Sequence, residues 1–332
     1  MDQHSGKVRA LGLCSGGLDS ILSALVLRRQ DIEVTWITFE TPFFSAEKAE
    51  LAAAGNDIPI MVRNITPVYL EMLTEPPAGY GKHMNPCMDC HALMFRLAGD
   101  IMAAEGYDFL FSGEVAGQRP MSQNKASLRY VEKRSGYDGH IVRPLSARQL
   151  PVSLPETQGL VDRNRLLDFS GRSRKPQMAL AAELGVTDYP SPAGGCLLTD
   201  KGYSGRLRDL MDHGTALTEP ALYLLKHGRH LRLTSAAKLV VGRTQQDNEE
   251  ILRYLDPESD TQIKVLGYPG PVALIPGGST DPDTLSRAAA MVAGYSKAPN
   301  GVPVKITVTQ KGTPETLRVT PIPPAQNRDM LI

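Results

Sequence analysis

Two periods of apolar and polar positions alternate along the first half of the chain. Val8 to Cys14, Ile32 to Glu40, Ile58 to Arg63 and Phe109 to Ser112 are short runs rich in apolar, β-branched and aromatic residues, and they predict strands. Between them, Ser20 to Gln30, Ser45 to Asn56 and His91 to Glu105 repeat apolar residues every three or four positions. In the last of these, Met94, Leu97, Ile101 and Met102 share one face, so all three predict helices. Strands in alternation with helices imply a parallel sheet covered on both sides, and the expected fold class is α/β, a doubly wound parallel sheet.

From Gly113 to Gly195 the pattern loosens into basic segments punctuated by Pro and Gly, interrupted by a helical stretch at Lys175 to Leu184. Irregular stretches of that length are usually functional. Residues 203 to 227 read as two short helices parted at His213-Gly214 and again at Glu219-Pro220, where the pre-proline restriction marks a boundary. From Leu231 a new series begins. It predicts strands near Lys238 to Val241, Ile263 to Leu266, Val272 to Ile275, Val302 to Thr309 and Thr316 to Thr320, with helices at Gln245 to Leu255 and Asp283 to Tyr295. The expected organisation is a catalytic domain over 1–202, a helical connector over 203–230 and a smaller α+β domain over 231–332. The tail Pro321 to Ile332 is expected to fray.

Composition narrows the class. A chain of 332 residues with 42% hydrophobic and 22% charged residues is globular, neither disordered nor collagenous. No run approaches the roughly 18 to 20 apolar residues of a membrane span, and Met1 to Ala10 lacks a signal-like apolar segment, so no membrane partner and a cytoplasmic location are expected. The 36 Lys plus Arg balance the 36 Asp plus Glu, which excludes binding to nucleic acid through bulk charge alone. Local charge is uneven. Residues 119 to 148 hold seven Lys/Arg against Glu132 and Asp138, residues 163 to 175 hold five against Asp168, and residues 226 to 243 hold five with no acid. These are either solvated surfaces or contacts for an anionic partner.

Candidate chemistry begins where the first strand meets the first helix, at Ser15-Gly16-Gly17-Leu18-Asp19-Ser20. Two glycines let the backbone approach an anion, the serines add donors, and a helix N-terminus supplies free N–H groups and a positive dipole end. The segment is neither a Walker A loop nor a G-x-G-x-x-G fingerprint. It resembles the SGG-x-DS pyrophosphate loop of the PP-loop ATPases, which cleave ATP to AMP and pyrophosphate and usually adenylate a carbonyl oxygen. That resemblance implies that Ser15, Gly16, Gly17, Asp19 and Ser20 hold the pyrophosphate of ATP and its Mg2+. It also implies that the adenine lies near Thr38-Phe39-Glu40, at the end of the second strand.

Four cysteines occur, Cys14, Cys87, Cys90 and Cys196. Cys14 reads as a small buried hydrophobe. Asn85-Pro86-Cys87-Met88-Asp89-Cys90 is a C-x-x-C placed on a loop ahead of a helix, and Cys196 follows Pro192-Ala193-Gly194-Gly195. A closed zinc site would need a fourth ligand, for which His83 and His91 are the nearby choices, and a plain dithiol or unrelated buried thiols are further readings. The pattern resembles that of PP-loop enzymes that thiolate tRNA, where three such thiolates hold a 4Fe-4S cluster with one open iron or act as persulfide carriers. By that resemblance Cys87, Cys90 and Cys196 are metal ligands or catalytic thiols beside Asp19.

Ser112-Gly113-Glu114-Val115-Ala116-Gly117-Gln118 resembles the Gly-Glu-Ser-x-Gly-Gln stretch of 4-thiouridine synthetases. The likeness implies that Gly113, Glu114 and Gln118 line the nucleotide pocket, with Arg143, Arg172 and Arg174 near phosphates. The N-terminal RNA-binding module of those synthetases has no counterpart in this sequence. In its place, Lys238 to Asn248 and Ala288 to Ser296 resemble the RNA-binding domain of NFACT proteins. Together these resemblances imply an ATP-dependent tRNA sulfurtransferase, with tRNA and a sulfur donor, sulfide or a persulfide-carrying protein, as partners. The other readings are a PP-loop enzyme that thiolates or amidates a small molecule, and an RNA-binding protein with a retired site.

Overall fold

The computed structural model describes residues 6–190 and 195–332. The chain divides into two compact units, Met1–Thr199 and Asp200–Ile332. The first contains β1 (Arg9–Leu13), α1 (Leu18–Arg28), β2 (Glu33–Glu40), α2 (Glu47–Asn56), β3 (Ile60–Asn64), α3 (Thr66–Thr74) and α4 (Cys87–Glu105). It continues with β4 (Phe109–Ser112), α5 (Lys125–Ser135), β5 (Ile141–Val142), the single turn α6 (Leu154–Thr157) and α7 (Lys175–Glu183). Its five strands are all parallel, in the order β3-β2-β1-β4-β5. The central strands are apolar on both sides, as a sheet sandwiched between helices requires. Trp36 and Ile37 of β2 and Phe109, Leu110 and Phe111 of β4 are all fully buried.

Besides the single turn α6, two helices had no counterpart in the sequence pattern. The short α3 carries Pro within its first turn, where a missing N–H costs nothing. The second, α5, is masked by its charges, yet its ends carry the usual signals. Asn124 Oδ1 accepts from Ser127 N at 2.9 Å, and Gly136 closes the helix at φ 83°. The structure also corrects the C-x-x-C: Cys87 and Cys90 lie inside the first turn of α4, not on a loop ahead of it.

The second unit contains α8 (Lys201–Asp212), α9 (Glu219–Leu224), β6 (Arg229–Arg232), β7 (Lys238–Val241), α10 (Gln245–Arg253), β8 (Thr261–Val265), β9 (Val272–Ile275), α11 (Pro282–Gly294), β10 (Val304–Gln310) and β11 (Thr313–Val319). The helices α8 and α9, expected as a connector, fall within this unit. Its six strands form an antiparallel sheet in the order β11-β10-β8-β9-β7-β6. One face packs against α11 through a core that includes Ala289, Met291, Ile263 and Ile306. The other face is covered only in part, where Val240, Val272 and Leu274 meet Leu224 of α9 and Ile251 of α10.

The tail does not fray. Ile322 N donates to Ala290 O at 2.9 Å, Ile332 N donates to His230 O at 3.0 Å, and Asn327 is buried. These bonds tie the last residues to α11 and β6. No helix among the described residues is long and apolar enough to cross a membrane.

The cap of α5 makes a direct test of local stability. Asn124→Ala is expected to lower stability by about 0.5–2 kcal/mol, and Asn124→Asp by less, since a carboxylate still accepts from Ser127 N. Denaturant unfolding of both variants measures this; an Ala variant as stable as the parent would mean that tertiary packing alone sets the helix.

Candidate functional site

Because β1 lies between β2 and β4, the chain leaves the sheet in opposite directions at the ends of β1 and β4. Open α/β sheets bind ligands in the crevice at such a switch point. Two sequence-predicted segments meet there. The turn between β1 and α1 places Gly16 at φ +72°, where a side chain is strained and its Cβ would lie 2.2 Å from the Lys48 carbonyl oxygen. After β4, a Cβ on Gly113 would lie 2.5 Å from the backbone of Asp19 and Ser20. Only glycine lets the two segments touch. Ser15 N donates to Ser20 Oγ at 3.4 Å, and no side chain caps the N-terminus of α1.

Asp19 is the odd group in this crevice. Its Oδ1 is buried and has no hydrogen-bond partner among the described residues. Burial raises its pKa above the usual carboxylate range, although Arg174, Gln118, Arg119 and Gln177 all face it and favour the ionised form. Arg174 Nε and both polar atoms of Gln177 are likewise buried without partners. The helix α7, which carries Gln177, packs against α1. Each unmet polar group costs on the order of 1–3 kcal/mol. A carboxylate, a guanidinium and an amide with open valences beside an uncapped helix fit a polyphosphate with its divalent cation. Gln177 escaped the sequence reading, because an amide on an Ala-rich helix carries no pattern.

Glu114 is placed differently from its neighbours. Its Oε1 accepts from His91 Nδ1 at 2.9 Å, and its Oε2 accepts from Arg143 Nε at 2.9 Å and Ser112 Oγ at 3.2 Å. Arg143 also donates through Nη1 to Glu132 at 2.5 Å. Burial opposes the charge on Glu114, but Arg143 and His91 outweigh it and hold the carboxyl down to about 2. This carboxylate therefore ties α4, through His91, to the end of β4. Arg172 is exposed.

The three thiols also gather at the carboxyl edge of the sheet. Cys87 and Cys90 begin α4, and Leu197, which follows Cys196, donates its N–H to Phe43 O at 3.0 Å just beyond β2. Residues 192–194 of the expected Gly-rich turn lie outside the described residues. Burial raises the Cys90 thiol, and the Cys196 thiol to about 11, with neighbouring thiols adding to both shifts. Asn85 Nδ2 donates to Cys87 Sγ at 3.2 Å. The buried Tyr69 ring packs at 5.5 Å from both Phe43 and Phe44, and all three thiols act on its hydroxyl. Among the described residues no three His, Cys, Asp or Glu side chains are gathered around one metal position. In chemistry the donor set fits a soft metal or an iron–sulfur group, being thiols alone. Cys14 is buried beside the phosphate loop, accepts from Gly16 N at 3.3 Å and is pushed up to about 12, consistent with a packing role.

The acid-free stretch 226–243 looks different once folded. Arg232 donates to both oxygens of Asp209, and Lys238 Nζ lies 3.2 Å from Asp209 Oδ2, buried and without hydrogen-bond alignment. Burial lowers Lys238 to about 8. Arg243 pairs with Asp247 at 2.8 Å, Lys226 lies over the Tyr223 ring at 4.4 Å, and Arg229 over the Tyr295 ring at 5.0 Å. All five cations are engaged inside the unit by acids or rings from elsewhere in the sequence. His227 lies between Asp247 and Glu250, and His230 is fully enclosed.

Residues 228–330 match the family model of the NFACT protein RNA binding domain. That match meets the resemblance read from Lys238 to Asn248 and Ala288 to Ser296. The chain is also 28% identical over 150 residues to a probable tRNA sulfurtransferase of Oceanobacillus iheyensis, a match covering 42% of this chain and 35% of that protein. The chain thus spans about a third of the length of that relative. Among solved structures, a predicted subunit of tRNA methyltransferase from Methanocaldococcus jannaschii is similar at 18% identity and a TM-score of 0.35, over 53% of this chain and 76% of that one. NMN synthetase from Francisella tularensis is similar at 11% identity and a TM-score of 0.28, over 57% and 91%. The C-terminal part of a fibronectin/fibrinogen-binding protein from Streptococcus suis is similar at 14% identity and a TM-score of 0.28, over 74% and 90%.

The Glu114 network sets a pH dependence. A carboxyl depressed in the folded state stabilises fully above its unfolded value and loses that contribution as pH falls toward about 2. Glu114→Gln is expected to cost on the order of 1–3 kcal/mol at neutral pH, because the buried Arg143 loses one of its two carboxylate partners and keeps only Glu132. It should also flatten the acid limb of stability against pH. Equal acid limbs for parent and variant would contradict this.

Proposed function

We propose that this protein is an ATP-dependent tRNA sulfurtransferase that releases AMP and pyrophosphate. The unmet Oδ1 of Asp19 at the switch point, beside an uncapped helix and two glycines, is the observation that carries the reading. In it, Ser15, Gly16, Gly17 and Ser20 cradle the pyrophosphate portion of ATP, Asp19 holds its Mg2+, and Gln118, Arg174 and Gln177 complete the shell. Gly113 seats this shell against β4, while Glu114 holds α4 in place. A uridine carbonyl oxygen attacks the α-phosphorus, the bond to pyrophosphate breaks, and the base is left bonded to AMP through that oxygen. Sulfide then adds to the activated carbon, and the C–O bond breaks with AMP as the leaving group. The exchange of oxygen for sulfur is redox-neutral. Preorganised donors on the transferring phosphoryl group supply the main rate term.

In the same reading Cys87, Cys90 and Cys196 handle the sulfur. Cys87, Cys90 and Cys196 would hold a 4Fe-4S cluster, which would supply a binding place for sulfide. Four free cysteines accord with a reducing compartment, the cytoplasm.

With ATP, Mg2+, sulfide and unmodified tRNA, the purified protein is expected to form AMP and pyrophosphate; ADP as the product would contradict the assignment. Asp19→Asn should lower the rate by about 100-fold or more. The same change should leave stability at neutral pH equal or higher, since a carboxyl with a raised pKa costs stability while ionised, that is, above its unfolded value. A destabilised Asn variant would place Asp19 in the packing instead. Anaerobically purified protein should carry about four irons and four labile sulfides per chain, lost on replacing any one of Cys87, Cys90 or Cys196 with Ala. Iron-free protein with full activity would remove the cluster from the account.

A further inference from the structure

The sheet of the second unit has a half-open face. At β7 and β9 that face carries Val240, Val272 and Leu274 beneath α9 and α10. The register continues it outward: Val272 pairs with Lys264 of β8, Lys264 with Thr307 of β10, and Thr307 with Thr316 of β11. One step along the strands, Lys305 pairs with Arg318. The face therefore turns from apolar to polar and basic where the helices stop. Lys264, Lys305, Thr316 and Arg318 are exposed, and Thr307 and Thr309 are partly so. The alternate residues Ile263, Ile306 and Val308 point into the α11 core.

No carboxylate stands on this side of the three strands. The one acid of β11, Glu315, pairs with Val308 and so belongs to the opposite face. Lys305 and Arg318, like charges directly opposite each other on antiparallel strands, repel, and among the described residues neither they nor Lys264 has an ion-pair partner. Strands about 4.8 Å apart, with a rise of about 3.3 Å per residue, put the backbones of these three cations within about 12 Å of one another. Of the acids of α10, next to the face, Asp247 and Glu250 pair with Arg243 and Arg253, and the exposed Glu249 accepts from Gln245 Nε2 at 2.8 Å.

We infer that the open β8-β10-β11 face, with Lys264, Lys305 and Arg318 as its cations and Thr307, Thr309 and Thr316 as its hydroxyl donors, binds the phosphodiester backbone of RNA. The inference rests on the RNA partner of the proposed function, and it moves the contact away from stretch 226–243. The cations of that stretch are engaged by acids or rings within the unit; those of the open face lie scattered in the sequence and are joined only by strand pairing. A polyanion relieves the repulsion between Lys305 and Arg318, and hydroxyls between the cations suit phosphate oxygens. The face carries no aromatic ring for a base, so contact is made with backbone and tolerates any sequence.

The test uses the full chain and unmodified tRNA, without ATP, with affinity measured over a salt series. Replacing Lys264, Lys305 and Arg318 together with Gln is expected to lower the slope of log affinity against log salt by about 2 to 3, at about 0.7 to 0.9 per lost phosphate contact. The pair Lys226→Gln and Arg243→Gln should leave the slope as it is. Thermal unfolding of each variant checks that it is folded, and exposed positions make the triple variant tolerant. An unchanged slope in the triple variant, with the parent binding tRNA, overturns this surface and leaves the RNA partner standing. A parent that binds no tRNA overturns both. Binding of polyglutamate as tight as that of tRNA, lost in the same triple variant, would give the face to an acidic polypeptide and overturn the RNA assignment.

Discussion

With no side chain at position 113, the end of β4 comes against the backbone of Asp19 and Ser20, and much of the first unit depends on that approach. A parallel sheet that winds outward in both directions from β1 leaves a crevice wherever its two central strands end. Here the crevice is closed at its base by backbone touching backbone. The turn before α1, with Asp19 in the first turn of that helix, is thereby fixed against the end of β4. A single methyl at 113 would force the two segments apart, and the loop, the helix start and Asp19 would move with them.

Two buried carboxylates in the first unit illustrate how the fold divides structural from chemical work. Glu114 is fully matched by Arg143, His91 and Ser112, and the match keeps it ionised. Asp19, a short step away through Gly113, keeps one oxygen unmatched and is pushed toward its neutral form by burial. The first pays for itself as a brace between α4 and β4. The second keeps an unmet oxygen, which in the proposed reading is the position the cation of ATP would satisfy.

The alternation of strands and helices was legible because parallel sheets bury continuous apolar runs such as Trp36 to Phe39 and Phe109 to Phe111. The turn Ser15 to Ser20 between β1 and α1 was legible as a strand-to-helix turn because its residues are contiguous. Less visible was α5, whose apolar stripe of Leu128 and Val131 is thin beside its charges, though Asn124 and Gly136 mark its ends. Gln177 was invisible, since its meaning lies in what surrounds it. The basic stretch at 226–243 stayed open for the converse reason: Asp209 and Tyr295 lie far outside it in sequence and meet it only in the fold. Charge that is local in sequence need not be local in space, and the reverse holds for Lys264, Lys305 and Arg318.

The central claim is that the crevice activates a carbonyl oxygen of the acceptor by joining it to the α-phosphorus of ATP. Carrying a heavy-oxygen label in the uridine carbonyls of the tRNA, and analysing the nucleotide products by mass spectrometry after turnover with sulfide, follows that oxygen directly. The account predicts one labelled oxygen in AMP for each thiouridine formed and none in pyrophosphate. Label found in pyrophosphate or inorganic phosphate, or thiouridine formed with unlabelled AMP, would contradict it.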